Sequence, residues 1–151
     1  MSSRGFEFAY MLDGSKATPV IRDFTLGVAA AHAIGNLMLM QSDGYIDAVT
    51  GTTTEVTCVM MEAFAAAAVT AGTTKGKAAI ITRNQVWRCS MDASSTNAVV
   101  GYTKTIDTTD ANTIDADDLT DGAMTLVDTD TDDDGNVLAY VVFADTTFGN
   151  T

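Results

Sequence analysis

The chain has 151 residues and one proline, and only 19% of its residues are charged. That length suits one domain, which buries about 68–70% of the surface its unfolded chain exposes, so a core forms without staples. The net charge of −12 argues against nucleic acid and anionic membranes as partners, because phosphate contacts need clustered Lys and Arg.

The charge is unevenly placed. Residues 1–104 hold eight acids and all eight Lys/Arg, so they are neutral, and residues 105–151 hold the other twelve acids and no base. Threonine and valine are abundant, and β-branched side chains favour the pleated surface of a strand. The bias is towards an all-β protein. No run of 18 apolar residues suggests a membrane span, and "MSSRGFEFAYMLDGSK" shows no apolar signal-peptide core, so synthesis in the cytoplasm is expected.

Residues 1–25 read as an extended N-terminal arm. Phe6, Phe8 and Tyr10 recur with period 2, Asp13-Gly14 marks a turn, and Pro19 holds Thr18 extended. These aromatics need burial, either against the domain's own core or in a partner subunit. From residue 26 to 151 the punctuation is that of many short strands. "NLMLMQ" and "YIDAVT" flank Ser42-Asp43-Gly44, a strong hairpin signal. "EVTCVMMEAF" places Val56, Cys58 and Met60 on one face. The alanine-rich stretch 65–71 reads equally as a helical turn or a loop. "KAAIIT" and "QVWRCSM" around Arg83-Asn84 read as a second hairpin, with Trp87 and Cys89 on its core side and Arg88 on the other. "VVGYTKTID" is strand-like, 108–122 an acidic loop with a helical turn at 115–119, and "AMTLVD" and "VLAYVVF" a closing strand pair. Cys58 and Cys89 lie in apolar strand contexts and read as small core side chains, a disulfide being the other reading.

Candidate chemistry is sparse. "DTDTDDDGN", Asp128 to Asn136, contains Asp130, Asp132, Asp134 and Gly135 in the D-x-D-x-D-G order of half an EF-hand loop. The twelfth position is Val141 where a bidentate Glu belongs, and the flanks are strands, so an EF-hand is rejected. Two readings stand: a weak Ca²⁺ site on Asp130, Asp132 and Asp134, joined by Asp128 or another subunit's acids, or a solvated hairpin tip in which Asp and Asn favour the turn. His32 is the only histidine, and no serine or cysteine stands in a nucleophile-elbow context, so a catalytic triad is not expected. No Gly-rich phosphate loop is present, and the expectation is a protein that is not an enzyme.

Three segments carry a resemblance. "GNLMLMQSDGYIDAVTG", "EVTCVMMEAFAAAA" and "AAIITRNQVWRCSM" together resemble the decoration (cement) proteins of tailed-bacteriophage capsids, departing at Asn36, where an acid is usual after the glycine. The resemblance implies a single small β-barrel or β-sandwich domain, β-tulip-like, with the extended arm. It implies a non-catalytic virion protein on the outer capsid surface, bound to the major capsid protein of the expanded lattice. Such proteins form homotrimers at three-fold or quasi-three-fold positions, and clamp neighbouring capsomers against internal pressure. The alternatives are another virion component, such as a head fibre, tail or baseplate subunit, or a calcium-dependent adhesion module.

Overall fold

The computed structural model describes residues 5–49, 55–91, 101, 103–104, 106–107, 110–115 and 122–148. In chain order the strands are β1 (Glu7–Met11), β2 (Ile21–Thr25), β3 (Leu37–Met40), β4 (Ile46–Ala48), β5 (Glu55–Val56), β6 (Cys58–Met60) and β7 (Lys75–Ile80). They continue with β8 (Gln85–Ser90), β9 (Thr103–Lys104), β10 (Ile106–Asp107), β11 (Asp110–Ile114), β12 (Met124–Thr131), β13 (Val137–Phe143) and β14 (Asp145–Thr146). Two five-stranded antiparallel sheets result, ordered β1-β8-β13-β12-β9 (sheet A) and β2-β7-β6-β3-β4 (sheet B). They pack face to face as a sandwich. Among the described residues the strands do not close into a barrel, because each sheet keeps two edges.

The inter-sheet core follows from alternation. Trp87, Cys89, Ala139, Val141 and Leu126 point inward from sheet A to meet Leu37, Val59, Ala79 and Ile81 from the other side. Trp87 is buried there, its indole N–H donating to the Gln85 side-chain oxygen at 3.1 Å, as a buried indole requires. Sheet B is apolar on both faces. Its outer side carries a second cluster of Met38, Ile46, Cys58, Met60 and Ala78, joined by Leu26 and Val69 from the linkers before β3 and before β7. Those linkers are stitched over the sheet by backbone bonds, including both between His32 and Phe64 at 2.9 and 2.8 Å. Val56 and Cys58 therefore lie in different clusters, because the strand breaks at Thr57 between β5 and β6.

Turn chemistry sets the local connections. At Ser42-Asp43-Gly44 the Gly44 N–H donates to the Gln41 carbonyl, Gly44 takes φ 86°, and Asp43 accepts from the Tyr45 N–H. That left-handed position is open to glycine at no steric cost. The same geometry recurs at Gly14 and Gly135, so β3–β4 and β12–β13 are the hairpins that the sequence indicates. Arg83-Asn84 behaves otherwise. β7 pairs with β2 and β6 and β8 with β1 and β13, so this link crosses between sheets and is not a hairpin. A two-residue hairpin needs left-handed backbone at its centre, which Arg-Asn, without glycine, supports poorly.

Residues 66–68 form one turn of 3-10 helix. Within the expected acidic loop, Asp110–Ile114 is a strand paired with β10, and the expected helical turn at 115–119 lies largely outside the described residues. Of the N-terminal segment, β1 is the edge of sheet A and β2 the edge of sheet B, so residues 7–25 lace the two sheets along one side. Phe6 is buried in the inter-sheet core and Phe8 packs edge-on against Trp87. Gly5 and Gly35 touch backbone to backbone, and a Cβ built at Gly5 would stand 2.8 Å from the Gly35 Cα. The Phe6 N–H donates to the Gly35 carbonyl at that crossing, tying β1 to the sheet B linkers.

Candidate functional site

Three places carry functional potential: the outer face of sheet A with its acidic hairpin, an apolar groove along the laced side, and the buried surroundings of His32.

On sheet A, register aligns one residue from each of four neighbouring strands. Glu7 stands opposite Arg88, Arg88 opposite Tyr140, and Tyr140 opposite Asp128. Arg88 donates to one Glu7 carboxylate oxygen through Nη2 at 2.8 Å and Nε at 3.2 Å. The hydrogen bond to Glu7, then that to Tyr140, raises the guanidinium pKa above its ordinary value. Two β-bulges shape the face around this row. In β1 the register shifts between Phe8 and Tyr10, and in β12 between Leu126 and Asp128. An extra residue reverses the in–out parity of the strand beyond it. Phe8 and Leu126 point into the core while Tyr10 and Asp128, two positions on, point outward. Tyr10 is 45% exposed, and its ring meets Tyr140 at a centroid separation of 6.3 Å across the intervening β8. The resulting depression, of about 600 Å³, is lined by Phe8, Tyr10, Arg88, Asp128, Asp130 and Tyr140 among others.

The candidate metal residues lie next to it. Asp130 is exposed on β12, its Oδ1 accepting from the Thr131 N–H at 2.8 Å. Asp132 organises the turn. It accepts from the N–H groups of Asp134 and Asn136 at 3.0 and 2.8 Å, and from the Asn136 amide at 3.1 Å. Asp134 is exposed at the tip. Among the described residues no group of three His, Cys, Asp or Glu side chains is gathered as a metal ion would need. The aspartates here are thus divided between a strand face, the turn's own bonding and its tip.

The groove runs between β1 and β2. Phe6, Trp87 and Ala79 form its floor, Ile21, Ile34 and Met61 its exposed apolar rim, with Thr18 and Pro19 at one wall, and it encloses about 350 Å³. Every lining residue belongs to the charge-neutral first two-thirds of the chain, and its one acid, Glu7, is paired with Arg88.

His32 is 5% exposed, and neither ring nitrogen has a hydrogen-bond partner among the described residues, so it is buried but not satisfied. Asp47 Oδ1 is likewise buried without a partner. Burial, then the charge of Asp43, pushes the Asp47 carboxyl above its ordinary pKa, while His32 pulls it back. Cys58 and Cys89 are buried and not joined in a disulfide, and burial pushes the Cys58 thiol up to about 12. Among the described residues no helix is long and apolar enough to cross a membrane.

Comparison with known proteins finds no matching family model, no matching curated protein and no matching solved structure.

Sequence reasoning reached Asp128, Asp130 and the outward Arg88. It missed Tyr10 and Tyr140 as their neighbours, because period-2 counting puts Tyr10 on the core face with Phe8. The signal for the bulges is faint: a small Ala9 between aromatics, and an aspartate two positions after a core leucine.

Proposed function

We propose that this chain is a non-catalytic virion structural protein of a tailed bacteriophage. In this reading it binds the outer surface of the expanded major capsid lattice and cements neighbouring capsomers, as a homotrimer at three-fold or quasi-three-fold positions. The observation that carries the reading from the geometry is the groove between β1 and β2. It joins an apolar floor and an exposed apolar rim to neutral surroundings, so docking there removes apolar area from water without stripping unpaired charges of solvent. The two strands beside it are sheet edges with backbone groups available for strand addition. The resemblance of residues 20–100 to capsid decoration proteins supplies the partner. The exposed aspartates of the β12–β13 turn stand off as charged surface, which keeps crowded particles apart.

The test is co-sedimentation with expanded capsids that lack the protein, with and without EDTA. Saturable pelleting is expected. The double variant Ile21→Asp, Ile34→Asp alters only exposed rim positions and is expected to lose pelleting while keeping its circular dichroism. Retained pelleting of that variant would exclude the groove as the docking surface, and no pelleting of the parent protein would move the reading to a tail or fibre component. Loss in EDTA alone would make Asp130, Asp132 and Asp134 a functional Ca²⁺ site. Deleting residues 1–19 is no substitute, because it removes Phe6 and Phe8 from the core.

A further inference from the structure

We propose that the depression on the outer face of sheet A is a binding site for a neutral saccharide. Its volume of about 600 Å³ falls within the range of ligand sites, roughly 300–1,000 Å³. Its walls bring together two kinds of surface. Tyr10 and Tyr140 meet over β8 with ring centroids 6.3 Å apart and 30° between their planes, an aromatic pair on the wall of the depression that serves as its shelf. Beside the shelf stand two acceptors, the carboxylates of Asp128 and Asp130, and one donor, the guanidinium of Arg88.

The mixture of charges narrows the ligand class. An anion would be drawn to Arg88 but repelled by Asp128 and Asp130, and a cation meets the reverse conflict. Glu7 moderates the second case without removing the guanidinium from the wall. A neutral ligand avoids both conflicts, but it must offer hydroxyls that donate to carboxylates and accept from guanidinium, and an apolar side that rests on aromatic rings. A pyranose ring has both: axial C–H groups form an apolar face and the hydroxyls ring its edge. Arginine has five N–H donors, of which two are directed at Glu7 and one is engaged with Tyr140, so two remain for the ligand.

The polar groups are held in place before any ligand arrives. Asp128 Oδ1 accepts from the Thr129 N–H at 2.8 Å and Asp130 Oδ1 from the Thr131 N–H at 2.8 Å, which fixes each carboxylate with its second oxygen still to offer. Arg88 is fixed by Glu7. Such preorganisation lowers the ordering cost of binding. The two bulges point the same way. They fall on the two strands that flank the β8–β13 pair, and each turns outward a residue that lines the depression, Tyr10 on one side and Asp128 on the other. Bulges recur where a side chain must be re-aimed for function. The site is open and shallow, so a short oligosaccharide is expected to bind with a Kd on the order of a millimolar, and repeated copies on one particle would multiply that through avidity.

The experiment is amide ¹H–¹⁵N NMR of the full chain titrated with neutral hexasaccharides of glucose, mannose, galactose, xylose and N-acetylglucosamine, with hexalysine and inorganic phosphate as charged probes. At least one saccharide is expected to give saturable shifts confined to Ala9, Tyr10, Arg88, Thr129 and Tyr140. Tyr10→Ala and Asp130→Asn, both at exposed positions, are expected to weaken that binding at least tenfold with the rest of the spectrum unchanged, and Tyr10→Phe to retain it. Saccharide shifts elsewhere only, or undiminished binding by Tyr10→Ala, would overturn the site. Response to hexalysine but to no saccharide would overturn the ligand class and make the depression a dock for a basic protein segment. Silence towards every probe would overturn the proposal outright. Because no capsid takes part, failure here leaves the capsid reading standing, and failure of that reading leaves this one standing.

Discussion

The two sheets of the sandwich are built from similar strands but used differently. The middle of sheet B is buried on both faces, one against sheet A and one beneath its own linkers, so neighbouring residues such as Val59 and Met60 fall in separate apolar clusters, while its edge strand β2 is largely exposed. Sheet A meets the core on one face, and its neighbours Trp87 and Arg88 divide between that core and an outer face where tyrosines and carboxylates reach solvent beside buried Val86, Ser90 and Leu138. The middle of sheet B is thereby a scaffold, and what this sheet offers a partner lies at its β2 edge, where Ile21 is exposed on the groove. The difference teaches that candidate functional surface lies on the outside of sheet A and along the laced edge, where, among the described residues, Tyr10 and Ile21 are exposed.

Substitutions of adjacent residues break or sharpen this contrast. In β8, Trp87→Ala is expected to cost about 3–5 kcal/mol in urea unfolding, the range for truncating a buried aromatic, whereas Arg88→Ala costs under about 1 kcal/mol. In β6, both Val59→Ala and Met60→Ala are expected to be expensive, on the order of 2–4 kcal/mol each. A cheap Met60→Ala would mean that the linker roof is not a core, and the contrast between the sheets would collapse. Gly44→Ala places a Cβ at φ 86° and is expected to cost about 1–2 kcal/mol by thermal unfolding, in a turn on sheet B whose surroundings are otherwise tolerant. A double-mutant cycle of Glu7→Ala with Arg88→Ala is expected to give a coupling of about 0.2–1 kcal/mol, because both side chains are about a third exposed or more and solvent screens them.

The smallest effect is a gain. The Asp47 carboxyl is raised in the folded state, so the folded protein binds its proton more tightly than the unfolded chain does. Stability is then lost as pH rises from the ordinary value of 3.8 through the raised folded value. Asp47→Asn is expected to raise the melting temperature slightly at pH 7 and to lose that advantage as the pH approaches 3.8, checked by calorimetry across the range. An equal gain at all pH values would attribute the effect to something other than titration.

Much of the architecture was legible because local chemistry and global fold agree. Asp43-Gly44 and Asp134-Gly135 each supply the left-handed glycine that a hairpin needs, and Trp87, Cys89 and Val141 alternate as a half-buried sheet requires. Legibility failed where connection depends on distant packing. At Arg83-Asn84 the missing glycine is only a weak local sign against a hairpin, and the crossing itself depends on which strands compete for the edges of β7 and β8. The candidate site was half visible. Its acids stand out in the sequence, but Tyr10 and Asp128 come to face the same depression only because Ala9 and Val127 are left unpaired in the ladder. A one-residue insertion into alternation leaves no compositional trace.

The two cysteines lie in different apolar clusters, Cys58 beneath the linkers of sheet B and Cys89 between the sheets. With its thiol pushed up to about 12, Cys58 has almost no thiolate at neutral pH, and burial shields both sulfurs from reagents. Each is therefore a chemical clock that starts only when its own compartment opens. If the linker roof lifts independently, alkylation of Cys58 outruns that of Cys89, and if the sandwich opens as one body, the two label at a common rate set by global unfolding.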